Sequence, residues 1–155
     1  MVPMPPPWTG PLLARVSIGV LFALTGAGKL LVPARRAEMR RTLSQAGLPF
    51  PAVAAIVVSS IECLSGVGVM FGLLTRTFSL LLTGVMAGAL WTTVLPAMKP
   101  RGLFSWITDF LYLPEVLYIV ILLWLVLSGP GSVSVDHFIA SVRQVQAAPA
   151  AIGQC

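Results

Sequence analysis

Four long apolar runs account for most of the chain, and short polar or proline- and glycine-rich stretches separate them. The runs cover residues 12–32, 52–74, 78–98 and 107–127. About 20 apolar residues cross a hydrocarbon core roughly 30 Å thick, and a single segment satisfies its backbone groups in lipid only as a helix. The pattern predicts an all-α fold, an integral membrane, antiparallel four-transmembrane-helix bundle in residues 1–131. Residues 132–155 are predicted to be a polar, partly disordered C-terminal tail.

The composition agrees with a membrane protein. Hydrophobic residues make up 57% of the chain and charged residues only 10%, compared with about 25% charged residues in soluble domains. The net charge is +5, but the basic residues sit beside the apolar runs instead of forming an exposed stripe. This placement favours membrane topology and contact with anionic lipid over binding of nucleic acid.

The basic residues also predict an orientation in the membrane. One group lies near the two loops at one end of the predicted bundle: Lys29, Arg35, Arg36, Arg40, Arg41, Lys99 and Arg101. A smaller group lies toward the other end: Arg15, Arg76 and Arg143. By the positive-inside rule, the loops of the larger group face the cytoplasm, and both termini lie on the outer side of the membrane.

The connection between the first two spans, residues 33–51, is unusually rich in arginine. Its arginines are Arg35, Arg36, Arg40 and Arg41. If the first half is helical, Val32, Met39, Leu43 and Ala46 share one face. We therefore expect a short helix that lies on the membrane, with its arginines against anionic lipid head groups.

Polar residues inside the spans are the candidates for function. On the first span, one helical stripe that should face the bundle contains Arg15, Gly19, Phe22, Gly26 and Lys29. Depth along the spans places Lys29 in one layer with Glu62, Trp91, Tyr112 and Glu115. A charge at the bilayer centre costs about 3 kcal/mol on insertion scales, so such residues face the interior and pair. The layer is either a pocket for a quinone head group or a proton, or a structural ion pair that fixes helix register.

Several kinds of catalytic site are absent from the sequence. Cys63 and Cys155 form no C-x-x-C pair, so thiol–disulfide relay chemistry is not indicated. His137 is the sole histidine and falls outside the spans, which excludes a haem held between two histidines in the bundle. No carboxylate or histidine cluster has the spacing of metal ligands, so we predict no metal site and no covalently bound cofactor.

The chain resembles the DoxX family of small bacterial membrane proteins. The residues that carry this resemblance are Arg15 to Gly19 (R-V-S-I-G), Gly26 to Leu30 (G-A-G-K-L), Gly47-Leu48-Pro49, Glu62, Gly72 to Arg76 (G-L-L-T-R), Gly129-Pro130-Gly131 and Ser134 to Asp136. The ending departs from the usual Gly-Pro-Gly-x-Tyr-Ser-hydrophobic-Asp pattern, with Ser132-Val133 before Ser134, and Asp109 is an addition to the family pattern.

The resemblance implies a four-helix membrane protein that works with other protein subunits. Relatives include the membrane subunit of a thiosulfate:quinone oxidoreductase and scaffolds that hold redox or detoxifying enzymes at the membrane. Two hypotheses follow. In the first, the chain is an accessory subunit or scaffold of a membrane redox complex and is not catalytic alone. In the second, it is a quinone-interacting oxidoreductase subunit that uses the layer around Lys29, Glu62 and Glu115.

Overall fold

The structure is a computed structural model that describes Pro6, residues 8–98 and residues 102–152, with side chains described up to Gln144. All regular elements in this part of the chain are helical. They are α1 (Thr9–Leu31), α2 (Pro33–Gln45), α3 (Pro51–Phe71), α4 (Thr75–Ala89), a π-helical turn (Leu90–Val94), α5 (Leu95–Ala97), α6 (Leu103–Leu111), α7 (Pro114–Ser128) and α8 (Val135–Ile152). The predicted all-α membrane bundle is confirmed.

Three helical segments are long and apolar enough to cross a membrane: Thr9–Leu31, Pro51–Phe71 and Thr75–Ala97. The third combines α4, the π-helical turn and α5 without a break. A fourth span exists if α6 and α7 are counted together, but these two helices are bent by 59° from one another. The chain is therefore a multi-pass membrane protein with up to four spans in the described residues.

The fourth span differs from the continuous helix predicted over residues 107–127. Pro114 explains the difference, because it has no N–H to bond the Phe110 carbonyl and its ring disfavours a helical residue before it. Leu113 accordingly adopts an extended conformation with ψ 128°. One helix ends at Leu111 and the next begins at Pro114.

Helices α1 and α3 pack with their backbones in contact, and glycines allow this. A Cβ atom on Gly26 would lie 2.5 Å from the backbone nitrogen of Cys63, and one on Gly19 would lie 2.7 Å from that of Met70. Small residues permit such close packing in membranes, where water does not drive helices together. The buried residues of α1 are Arg15, Ile18, Gly19, Phe22 and Gly26, which confirms that the predicted stripe faces the bundle.

Helix α7 packs mainly on α4, and the core lies between this pair and the pair α1–α3. The buried core residues are Ile18, Phe22, Val69, Leu82, Met86, Leu122 and Leu125. Phe22 and Tyr118 meet edge to face, with ring centroids 5.7 Å apart. This arrangement leaves the two ends of the bundle distinct: α2 covers one end, and the start of α8 covers the other.

The segment predicted as a partly disordered tail contains a helix, α8. Its start is held by two contacts: the Ser134 hydroxyl accepts the backbone N–H of His137 at 3.1 Å, and the backbone N–H of Asp136 donates to the Gly72 carbonyl at 3.0 Å. Serine in this position is a strong helix start signal, because it satisfies an N–H that the helix leaves free. Residues 153–155, the last part of the predicted tail, lie outside the described residues.

Candidate functional site

Helix α2 forms the floor of the candidate site. It starts at Pro33, buries Leu43 and half-buries Met39, so the predicted short helix exists. Val32, which was predicted on the same apolar face, precedes the helix and is exposed. Its arginines, Arg35, Arg36, Arg40 and Arg41, are all exposed. Arg36 donates a hydrogen bond to the Leu30 carbonyl and so caps the end of α1. Contact of this cluster with anionic lipid stays a prediction, and Lys99 and Arg101 lie outside the described residues.

Lys29 and Glu62 form an ion pair between α1 and α3. The Lys29 ammonium donates to both carboxylate oxygens of Glu62, at 2.6 and 2.9 Å. The Glu62 side chain is 2% exposed, whereas that of Lys29 is 27% exposed. Gly26 stands one turn before Lys29 and brings α3 close enough for this contact. The pairing satisfies a carboxylate that would otherwise be buried without a partner.

A cavity of about 520 Å³ adjoins this pair. Its polar lining residues are Lys29, Thr42, Glu62, Thr92, Thr93 and Glu115. Its apolar walls come from α2, α3, α4 and the π-helical turn, and include Leu43, Val58, Ile61 and Val85. The cavity is thus a mainly apolar chamber with an ion pair and a second carboxyl group in its wall.

Glu115 is the second carboxyl group of the cavity. It lies in the first turn of α7, directly after Pro114, where the helix dipole favours negative charge. Its Oε2 atom is buried and makes no hydrogen bond to the part of the chain that the structure describes. A buried polar atom without a partner is costly unless a ligand or water satisfies it. The Glu115 oxygen can therefore accept a hydrogen bond from water or another molecule in the cavity.

The π-helical turn at Leu90–Val94 borders the cavity and was not foreseen from the sequence. The sequence feature that could have indicated this turn is Pro96, because its missing N–H and its ring disturb the helix one turn earlier, at Thr92. The Thr92 hydroxyl donates to the Gly88 carbonyl at 2.7 Å. Single π-helical turns often occur at functional sites. Here the turn directs Thr92 and Thr93 to the cavity wall.

Two residues of the predicted layer do not join it. Trp91 is 75% exposed and Tyr112 is 86% exposed, and neither lines the cavity. Depth along the spans did not fix the direction of either side chain. The π-helical turn changes the phase of the helix at Trp91, and the bend before Pro114 turns Tyr112 away from the bundle.

Arg15 and Arg76 lie at the other end of the bundle. Arg15 is 3% exposed and donates hydrogen bonds to the carbonyls of Pro130 and Val133. A Cβ atom on Gly72 would lie 2.6 Å from Arg15 Nη1, so this glycine leaves room for the guanidinium. Arg76 is exposed and lies beside Gly129. These arginines are part of the contacts that join the segment before α8 to the ends of α1 and α4.

Asp136 completes the contacts at this end. Its carboxylate accepts the backbone N–H groups of Leu74 at 2.8 Å and Thr75 at 3.0 Å, which are free at the start of α4. Asp136 was expected only as part of the family-like ending, and its contact with the start of α4 was not predicted. No local sequence pattern indicates this contact, because Asp136 and Thr75 are separated by 61 residues.

Comparison with known proteins identifies the family. The sequence model of the DoxX family matches residues 10–95 of the chain. The chain belongs to the DoxX family. It is also 31% identical to the uncharacterized membrane protein Rv3486 of Mycobacterium tuberculosis (strain ATCC 25618 / H37Rv), in an alignment covering 79% of this chain and 77% of that protein. No solved structure matches the chain.

The DoxX match covers only part of the cavity. It runs from the start of α1 to the beginning of α5, and so includes Arg15, Lys29, Glu62 and Arg76. Glu115 and helices α6 to α8 lie outside it. The described residues also contain no group of three or more histidine, cysteine or acidic side chains that could hold a metal ion. The ion pair is thus within the part of the chain that matches the family, and the second carboxyl group is not.

Proposed function

We propose that this DoxX-family protein is a membrane subunit of a redox complex and that its cavity binds the head group of a quinone. The observation that supports this proposal is the mainly apolar chamber of about 520 Å³ with Lys29, Glu62 and Glu115 in its wall. Small-molecule sites usually measure roughly 300–1,000 Å³ and combine apolar walls with a few polar groups. A redox-active ring on an apolar tail matches both features.

The polar groups suit both forms of such a ligand. The oxygens of an oxidised quinone accept hydrogen bonds, which the Lys29 ammonium and the Thr92 and Thr93 hydroxyls can donate. A reduced quinone carries hydroxyl groups, which the free Glu115 oxygen can accept. When bound, the quinone supplies two-electron redox chemistry that side chains lack. The protein would orient the head group and hold protons close to it.

Acid-to-amide substitutions test the proposal with a matched control. We expect Glu62→Gln, and the double variant Lys29→Met/Glu62→Gln, to weaken binding of ubiquinone-1 about tenfold or more. Glu62 positions the Lys29 ammonium, and the charged hydrogen bond that this ammonium would donate to a quinone oxygen is worth about 1.5–3 kcal/mol. Asp109→Asn makes the same chemical change on an exposed residue outside the cavity and should bind normally. Calorimetric titration in detergent measures all three.

Thermal unfolding of the same samples separates loss of binding from loss of folding. Wild-type affinity in both cavity variants would remove the quinone proposal and leave Lys29 and Glu62 as a structural pair. If the control variant Asp109→Asn lost affinity as much as the cavity variants, the quinone proposal would also be contradicted, because the effect would then not come from the cavity.

A second candidate function is that of an accessory subunit or scaffold, and α6 favours it. Leu103, Phe104 and Leu111 on this short helix are 78%, 86% and 64% exposed, and the helix packs weakly on α7. Asp109 and Tyr112 are exposed on its polar side. A partner subunit would cover these polar groups where lipid cannot satisfy them.

Co-purification tests the scaffold function. Gentle detergent extraction should recover partner chains with the wild-type protein, and Asp109→Asn should recover fewer of them at unchanged thermal stability. If Asp109→Asn recovers the same partners in the same amounts, α6 does not carry the contact. The proposal includes a bacterial inner-membrane location, with the α2 end in the cytoplasm.

A further inference from the structure

A second cleft, of about 290 Å³, lies between α1 and α2. Its lining residues are Thr25, Lys29, Arg35, Glu38, Met39 and Thr42. In contrast to the larger cavity, most of these residues are polar, and two of them, Arg35 and Glu38, are exposed at the surface of α2. The polar ends of these side chains can form hydrogen bonds with water in the cleft.

The cleft and the larger cavity adjoin at Lys29. Lys29, Met39 and Thr42 line both spaces. Glu62 lines only the larger one and is 2% exposed, whereas Lys29 is 27% exposed. Lys29 thus faces the cleft while its ammonium is bonded to a carboxylate that is shut off from the surface.

The cleft also extends along α1 into the span. Thr25 lies six residues before Leu31, the last residue of α1, which corresponds to a depth of about 9 Å at 1.5 Å per residue. Its neighbour Leu24 is 67% exposed on the outside of the bundle and does not line the cleft. At the same depth, α1 has one side toward the cleft and one toward lipid.

We propose that this cleft is an aqueous proton inlet, with Glu38 at its mouth and Lys29 where it adjoins the larger cavity, that serves the larger cavity from the α2 side of the membrane. The inlet rests on the proposed function, because a quinone site must exchange protons as well as electrons. It adds the side of the membrane from which the protons come.

The proton balance uses groups that the chain contains. When an oxygen of a bound molecule takes a proton from the Lys29 ammonium, one N–H bond breaks and one O–H bond forms. The resulting amine regains a proton from hydrated protons in the cleft, which Glu38 attracts and relays. Glu62 stays beside Lys29 at 2.6 Å and favours return of the positive charge. The net result is transfer of one proton from the α2 side to the cavity.

Cysteine labelling tests whether water fills the cleft past Lys29 as far as Thr25. In the full chain with Cys63→Ser and Cys155→Ser, we expect Thr25→Cys to react with a membrane-impermeant cationic methanethiosulfonate added on the α2 side of membrane vesicles. Its rate should be within about tenfold of that of Ser44→Cys, an exposed position on α2. Leu24→Cys, the lipid-side control at the same depth, should stay unreacted.

Two labelling results would overturn the inlet. In one, Thr25→Cys is as inert as Leu24→Cys while Ser44→Cys reacts, which means that the cleft is closed or filled with lipid. In the other, Thr25→Cys and Leu24→Cys react equally, which means that reactivity does not come from the cleft. Either result stands regardless of whether a quinone binds.

The charge at the mouth provides a second test. Adding Glu38→Gln to Thr25→Cys should slow the reaction with the cationic methanethiosulfonate about two- to fivefold, and should not slow the reaction with an anionic methanethiosulfonate. The reason is that a single charge within several ångströms changes the local concentration of ions by about that factor. If Glu38→Gln leaves the rate of each reagent unchanged, Glu38 does not lie at the mouth of the inlet.

Binding of ubiquinone-1 to the same vesicles distinguishes failure of the inlet from failure of the proposed function. If Thr25→Cys is labelled but ubiquinone-1 does not bind, the cleft is open to water but the quinone site, and with it the proposed role of the inlet, is contradicted. Quinone binding without labelling would leave the quinone site and overturn the inlet.

Discussion

The ion pair between Lys29 and Glu62 allows a quantitative test of how the bundle holds charge. Glu62 is 2% exposed and Lys29 is 27% exposed, so only the lysine can extend toward water. Lys29→Met leaves the buried carboxylate without its cation, which should lower the free energy of unfolding by about 3 kcal/mol. Glu62→Gln keeps a hydrogen-bonding amide beside a lysine that can reach the α2 end, and should cost about 1 kcal/mol or less.

The double variant reveals the coupling. Lys29→Met/Glu62→Gln removes both charges, so it should be about as stable as Glu62→Gln and more stable than Lys29→Met. The coupling free energy between the two positions is then about 3 kcal/mol, far above the 0.3–0.5 kcal/mol typical of independent sites. Reversible unfolding in detergent, by temperature and by denaturant, measures the four proteins of the cycle.

The result that refutes this reasoning is additivity. If the two single losses add to the loss of the double variant within about 0.5 kcal/mol, the 2.6 Å contact does not stabilise the bundle. A stable Lys29→Met protein would likewise show that the cavity accommodates the Glu62 carboxylate without its partner.

Three further predictions concern α8, α2 and the orientation of the chain. Asp136→Ala should lower stability by about 1–2 kcal/mol in thermal unfolding because it removes the cap of α4, and Asp136→Asn should lose less; equal stability of all three proteins would contradict the cap. Changing the four arginines of α2 to glutamine should weaken binding of anionic lipid by about 1 kcal/mol per arginine, so that less of it co-purifies with the protein. Mass spectrometry measures the retained lipid, and an unchanged amount would contradict the prediction. A reporter fused after Cys155 should be active outside the cytoplasm, and activity confined to the cytoplasm would reverse the orientation.

The positions of Arg15, Lys29 and Glu62 followed from the sequence because two strong rules govern them. Helical period fixed the face of α1 that carries Arg15 and Lys29. The glycines on that face, which were predicted only to face the bundle, are where α3 packs closely in the structure. The cost of a charge in lipid then required Glu62 to find a cation at its own depth. Where a regular helix and a large energy agree, local sequence is enough to predict a contact between spans.

The directions of Trp91 and Tyr112 and the contact made by Asp136 were not predicted, for physical reasons that the structure shows. The directions of Trp91 and Tyr112 depend on irregular backbone, a π-helical turn and a 59° bend, and a regular period of 3.6 residues misplaces both. Asp136 caps α4 from 61 residues away, and no local pattern indicates such a partner. The start of α8 is held by the same kind of contact between distant residues, and partial disorder of the rest of the tail stays a prediction.

The two irregularities that defeated the prediction also explain why the bundle has a cavity. Pro96 follows the π-helical turn whose threonines line the chamber, and Pro114 starts the helix whose first turn presents Glu115 to it. Both lie at the α2 end, whereas the uninterrupted helices α1 and α3 pack closely at Gly19 and Gly26. A proline within a helix removes a backbone hydrogen bond and disturbs the turn before it. In both places the disturbed backbone lies at the wall of the chamber, where it carries Thr92, Thr93 and Glu115.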